Sequence, residues 1–236
     1  MWGFFDRELT SKDYREMADE ICRPQINKLA FIYFMYSVVS GFASYFIGGI
    51  ASFAVDIPFS FSFINIAKKT FLGIKVKEDD LSFGYKNYVR ALLINLLSGL
   101  YVFLWFLIPI VGPFIAIGKS FSYFLAPYIA IDNPEMGYDE CITRSKEYME
   151  GHRMELFYLS ISYIGWFILS IFTFGILLFW IQPKMQQAHF LFYLKVSGIG
   201  ACYVDEMNES YDKDDEIIDI DEISETEDID DTPCKF

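Results

Sequence analysis

The chain has 236 residues, 53% of them hydrophobic and 19% aromatic, and carries a formal charge of −13. So apolar a composition is unusual for a soluble globular domain, and so acidic a total excludes a nucleic-acid binder, which needs basic surface. The charge is local: residues 205–236 hold fifteen Asp and Glu against two Lys, which leaves the first 204 residues neutral.

The start, MWGFFDRELTSKDYREM, has an early acid and no small-residue cleavage site, so it does not read as a signal peptide. Residues 1–27 read as an N-terminal cytoplasmic or interfacial segment. Within it, TSKDYREMADEIC (10–22) predicts an amphipathic helix capped by Thr10 or Ser11. Its apolar positions Tyr14, Met17, Ala18 and Ile21 suit a helix lying on the inner membrane surface.

Residues 28–204 contain three charge-free runs, 29–55, 91–118 and 156–183. A helix needs about 20 residues to cross a hydrocarbon core of about 30 Å, so each run is too long for one straight crossing. Breakers sit inside every run: Gly48-Gly49, Pro109 with Gly112 and Pro113, and Thr173-Phe174-Gly175. Splitting there gives arms of about 29–47, 50–67, 91–108, 113–131, 156–173 and 175–194. The expectation is an all-α, polytopic membrane protein of six transmembrane helices in three hairpins, with short interfacial cytoplasmic helices. Six crossings put every basic loop on one side, from Arg7 to Lys28, Lys68 to Arg90 and Arg144 to Arg153, while the opposite turns carry none. The positive-inside bias then predicts a plasma-membrane protein with both termini cytoplasmic.

Between arms four and five, Asp132-Asn133-Pro134 ends one helix, because the residue before proline disfavours the helical region. A helix is expected from about Tyr138 to Glu150, with Cys141, Ile142, Ser145 and Met149 on its less polar face and Gly151 as its stop. Ser145, Lys146, Gly151 and His152 complete this cytoplasmic connector. Residues 205–236 are too acidic and too poor in large apolar anchors to fold alone, so a disordered tail is expected, with a basic protein as its one plausible partner.

The chemistry-bearing residues are isolated charges within the arms. Asp56 and Lys119 each lie six residues inside a returning arm, and a charge at the membrane centre costs about 2.5–3.5 kcal/mol, so pairing between them is one expectation. The other is snorkelling of Lys119 to the outer interface. Arm six adds Gln182, Lys184, Gln186, Gln187 and His189, with Lys184 near mid-depth beside Pro183. Asp56, Lys119, Lys184, Gln187 and His189 are therefore candidates to line a polar cavity for an anionic lipid headgroup or solute. Four scattered cysteines, Cys22, Cys141, Cys202 and Cys234, show no metal-ligand spacing and read as reduced structural thiols. No Walker A, GxSxG or HExxH motif occurs, so no catalytic residue, metal or cofactor is assigned.

The run IPIVGPFIAIGKSFSYFLAPYIAIDNP, followed by ITRSKEYMEGHRMELFYLSISYIGWFILSIFTFGI, resembles the DUF975 family of bacterial integral membrane proteins. The resemblance rests on Pro109, Gly112, Lys119, Tyr123, Asp132, Asn133, Pro134, Ser145, Lys146, Met149, Gly151, His152, Leu159, Ser160, Gly165, Trp166, Thr173, Gly175 and Ile176. It covers about residues 10–196 and is strongest over 100–183. The chain departs from the family's Pro-Gly pattern, since Ile110 and Val111 separate Pro109 from Gly112, and in its added acidic tail. The resemblance implies a bacterial membrane protein and no particular activity. The first functional expectation is a non-enzymatic lipid- or partner-binding factor of the cell envelope. A small solute or lipid transporter using Asp56, Lys119 and Lys184 is the alternative, and a membrane-embedded lipid-modifying enzyme is the third. The sequence sets no oligomeric state.

Overall fold

A computed structural model describes residues 9–47, 49–106, 112–173, 175–200 and 202–204, and every element among them is a helix. The first, α1 (Ser11–Cys22), starts because Asp13 accepts the backbone N–H of Thr10 at 2.8 Å, which closes the reciprocal half of a capping box. Tyr14, Ala18 and Cys22 recur every four residues, and all three are buried. Pro24 then tightens the chain through a 3₁₀ turn, Arg23–Gln25, into α2 (Ile26–Ile47).

α2 buries Leu29, Ile32 and Tyr33 against α3 (Gly49–Phe71). The Tyr33 and Phe63 rings stack at 4.2 Å there, and Tyr36 meets Phe59 and Phe63 edge-on. A 3₁₀ turn (Glu78–Ser82) and a single turn of helix, α4 (Phe83–Lys86), lead into α5 (Tyr88–Phe106). α4 can touch α3 only because Gly84 has no side chain: a Cβ there would stand 1.7 Å from the Pro58 carbonyl oxygen.

Arm four is two helices, α6 (Gly112–Tyr123) and α7 (Ala126–Asp132). Pro127 lacks the N–H that would continue α6, so the chain restarts with proline in the first turn of α7. After α8 (Tyr138–Tyr148), Gly151 takes φ +86° and the chain enters α9 (Arg153–Ser162) and α10 (Ile164–Phe172). Ser160 and Ser162 hydroxyls donate back to the Leu156 and Leu159 carbonyls just before this joint, which competes with the helical ladder. The last long helix, α11 (Leu178–Ser197), contains Pro183 and ends at Gly198 in the left-handed region.

The six arms expected from the sequence thus fall on α2, α3, α5, α6–α7, α9–α10 and α11. The three expected turns include residues 48, 107–111 and 174, which lie outside the described residues, as does the acidic tail. Among the described residues one stretch, Arg153–Phe172, is by itself long and apolar enough to cross a membrane. Glu78–Lys86 with Tyr88–Leu104 makes a second if that pair, bent by 68°, is taken as one.

Burial divides the molecule. One end is packed from α1, α7, α8, the end of α3 and the second half of α11, where Leu125, Ile142, Leu191 and Leu194 are fully enclosed. The other end turns apolar side chains outward: Phe42 and Tyr45 on α2, Leu96 and Phe103 on α5, Ile171 and Phe172 on α10.

Two expectations are corrected here. α1 does not rest on a membrane surface with its apolar face. It runs antiparallel along α11, with Tyr14 edge-on to Phe192 and the Cys22 thiol 3.8 Å from the Pro183 carbonyl. Burying a large side chain in protein contributes about 1.5–3 kcal/mol, and α11 offers Tyr14 a shaped partner that a bilayer interface does not. The expectation of reduced thiols holds at Cys22 and Cys141, which are free, and fails at Cys202, which is disulfide-bonded.

Candidate functional site

The residues singled out as one polar cavity are dispersed by the fold. Asp56 sits between α2 and α3, where Tyr36 and Ser40 hydroxyls donate to one carboxylate oxygen at 3.1 and 2.6 Å. Those donors lie one helix away, and among the described residues no ion pair joins Asp56 to Lys119. Antiparallel packing sets Lys184 beside the penultimate turn of α1, in an ion pair with Asp19. Gln187 is buried beneath α2 and α3, its Nε2 without a partner. His189 belongs to a different cleft, described below.

The connector residues are brought together, by partners that lie far away in sequence. Asp132 is buried and accepts three donors: Lys68 Nζ at 3.3 Å, Tyr193 Oη at 2.8 Å and Tyr203 Oη at 2.7 Å. Lys68 also lies 5.3 Å from the Tyr203 ring centre. Beside this knot, Arg90 donates to the carbonyls of Ala130, Asn133 and Met136, fixing the turn through Pro134. Ser145 donates to the Ser122 carbonyl at 2.8 Å, tying α8 to α6, and Lys146 lies over the rings of Tyr101 and Tyr123. His152 Nδ1 meets Glu155 at 3.1 Å, and Glu155 also accepts Tyr14 Oη at 2.8 Å and Lys195 Nζ at 3.1 Å. These are cross-braces between helices.

Two open clefts contain candidate residues, Lys184 in one and His189 in the other. The first, about 490 Å³, lies between α1, α10 and α11. Arg15, Arg23 and Lys184 line it together with Glu16, Asp19 and Glu20, above a floor of Tyr163, Trp166 and Trp180. Arg15 Nη1 donates to the Ser162 carbonyl at 3.2 Å and the guanidinium carbon lies 5.6 Å from the Tyr163 ring centre, so the charged head itself is held at the cleft wall. Asp19 titrates below its ordinary value, chiefly through the hydrogen bond from Lys184. At the end of the same helix burial pushes the Cys22 thiol up to about 12, which leaves it inert. The charges balance, three of each sign, so the cleft is suited to a zwitterionic group more than to a bare anion.

The second cleft, about 780 Å³, is walled by α3, α5, α6, α7 and α11 and contains no charged side chain. His189 lines it, 8% exposed and with Nε2 unpartnered, as does Ser98, whose Oγ is also unpartnered. Among the described residues no group of His, Cys, Asp or Glu is placed to hold a metal ion.

Sequence reasoning missed Arg15, Asp19, Lys68, Arg90 and Ser98. Arg15 and Asp19 were readable only as the solvent side of an amphipathic helix. Lys68 and Arg90 were counted as loop charges, and Ser98 was not singled out.

Residues 110–199 match the family model described as a protein of unknown function, DUF975. No curated protein and no solved structure matches the chain. The matched segment runs from the start of α6 to the end of α11. It contains Asp132, the α8 brace, Glu155, two of the three helices around the first cleft and three of the five around the second.

Proposed function

We propose that this protein, a DUF975 member through residues 110–199, is a multi-pass membrane protein that binds a phospholipid headgroup in the α1–α10–α11 cleft, as a non-enzymatic factor of the cell envelope. One observation carries the reading: a charge-balanced cleft with two tryptophans opens where the charged α1 meets the outward apolar side chains of α10. Trp and Tyr favour the headgroup level of a bilayer, where an apolar ring and a polar edge are both accommodated. Arg15 and Arg23 suit a phosphate, and Glu16 and Glu20 suit an amine.

The membrane reading has its own support. Arg153–Phe172 is only 22% buried over its most apolar window, unlike the core helix of a soluble protein. Exposed Val38, Phe42, Leu100, Phe103, Ile168 and Phe172 extend the apolar surface around three helices, far more than an isolated surface residue needs explaining. Six crossings with both termini cytoplasmic remain the topology that keeps all basic loops together, and the acidic tail is then available to a basic protein partner.

The test is mass spectrometry of the intact protein released from vesicles of phosphatidylethanolamine and phosphatidylglycerol. Retention of phosphatidylethanolamine in preference, lost in Arg15→Ala with Arg23→Ala, is the expected result. Equal loss of both lipids in every sample would sink headgroup binding, and counterflow of a solute by the same vesicles would favour the transporter instead. Labelling of the carboxy-terminal end in intact cells checks the topology separately.

A further inference from the structure

We infer that the uncharged cleft between α3, α5, α6, α7 and α11 is a second binding site, for a neutral lipid bearing a free hydroxyl. The inference rests on the membrane reading above but uses different residues from the headgroup cleft. Its volume, about 780 Å³, is that of a ligand pocket and not of a packing defect. Phe63, Ile64, Val102, Phe103, Phe124 and Met185 supply apolar walls.

The polar groups decide what enters. Ser60 and Ser120 donate to carbonyls of their own helices, Asn95 donates to the Ala91 carbonyl, and Gln186 donates to the Tyr128 hydroxyl. Ser98 Oγ and His189 Nε2 are left over, both removed from solvent and both without a partner among the described residues. Leaving a buried polar group unpaired costs about 1–3 kcal/mol, so two such atoms lining one cleft mark what a ligand supplies. A hydroxyl both donates and accepts, as a neutral imidazole and a serine together require. A carboxylate, phosphate or ammonium would enter with no countercharge among the lining side chains.

The mouth indicates the route. Gly99, Phe103 and Ser120 at the cleft are exposed, and they adjoin outward-facing Leu96, Leu100 and Ile117. The opening therefore continues the apolar exterior, and an occupant arrives sideways from lipid. Diacylglycerols and long-chain isoprenoid alcohols share the required chemistry.

The full chain is reconstituted in phosphatidylcholine vesicles containing a photoreactive diacylglycerol. Crosslinks are expected on peptides from α5, α6–α7 and α11. Unlabelled diacylglycerol or a polyprenol should compete, and whichever competes better identifies the source, while phosphatidylglycerol should not. A Cβ at Gly99 meets nothing within 4 Å, so Gly99→Trp fills the mouth without a backbone clash and should cut labelling at least about fivefold. If that variant is not monodisperse, Ser98→Ala with His189→Phe carries the same expectation. Undiminished labelling in these variants, or equal competition by phosphatidylglycerol, overturns the site. A wild-type protein that stays membrane-inserted yet shows no specific crosslink removes this inference alone, whereas a protein released by alkaline washing removes the membrane reading.

Discussion

The end of the molecule built around Asp132 and Glu155 and the end built from α2, α5 and α10 use similar residues for opposite purposes. At the first, tyrosines and lysines converge on two acids: Tyr193, Tyr203 and Lys68 on Asp132, Tyr14 and Lys195 on Glu155. At the second, Tyr45, Phe42 and Phe172 face outward, and the unpartnered Ser98 and His189 lie in the open cleft beside α5. The comparison teaches where to look for function. A site needs unspent hydrogen-bonding groups, and the Asp132 and Glu155 clusters have used theirs to hold helices together.

The largest effect should come from unpairing the packed end. Asp132→Ala leaves Lys68 buried without its acid and two tyrosine hydroxyls without an acceptor, and should cost about 3–5 kcal/mol in thermal unfolding in micelles. Adding Lys68→Met should recover part of that loss. If Asp132→Ala unfolds like the wild type, the two ends are not energetically distinct.

Gly84→Ala comes next. Its new methyl group would meet the Pro58 carbonyl, so α4 must move off α3, at a cost of about 1–3 kcal/mol. Gly41→Ala, on the outward-facing α2 with nothing within 4 Å, is the control that should change little. Tyr14→Phe removes one hydroxyl donor from Glu155 and should cost about 1.5–3 kcal/mol at pH 7. Its apparent size should shrink in Tyr14→Phe made on a Glu155→Gln background.

The smallest effect belongs to the rim of the headgroup cleft. Asp19 and Lys184 are partly exposed, so their pair contributes about 0–1 kcal/mol and less in high salt. Because the folded-state carboxyl of Asp19 titrates below its ordinary value, this contribution is present above about pH 4 and is lost as the pH falls through the depressed value. Asp19→Asn should abolish that acid-side slope in a pH series of melting points and leave the neutral-pH value nearly unchanged. Cys22, held inert by burial, should resist maleimide at pH 8 until the chain is unfolded.

Much of the helical layout was legible because its signals are local. The breakers between arms, the stop at Gly151 and the Cys141, Ile142, Ser145 and Met149 stripe of α8 depend on residues within one or two turns of each other. The breaks inside arms four and five were less visible. Pro127 and the serines before Tyr163 act on backbone hydrogen bonds without changing hydropathy. The candidate site was legible only in residue type. Lys184 and His189 stood out as polar atoms in apolar sequence, yet they line separate clefts, because their register on α11 turns one toward α1 and the other toward α6 and α7.

The sequence by itself determined an all-helical chain, the positions of its helices and the DUF975 resemblance, since periodicity, breakers and short motifs are properties of neighbouring residues. Only the tertiary structure decided that Asp56 is held by Tyr36 and Ser40, that Asp132 gathers Lys68, Tyr193 and Tyr203, and that Ser98 and His189 remain unspent. The reason is that hydrogen bonding is settled by which helices touch and at what rotation. Partners 60 or more residues apart, as Lys68 and Tyr203 are from Asp132, leave no trace in local pattern.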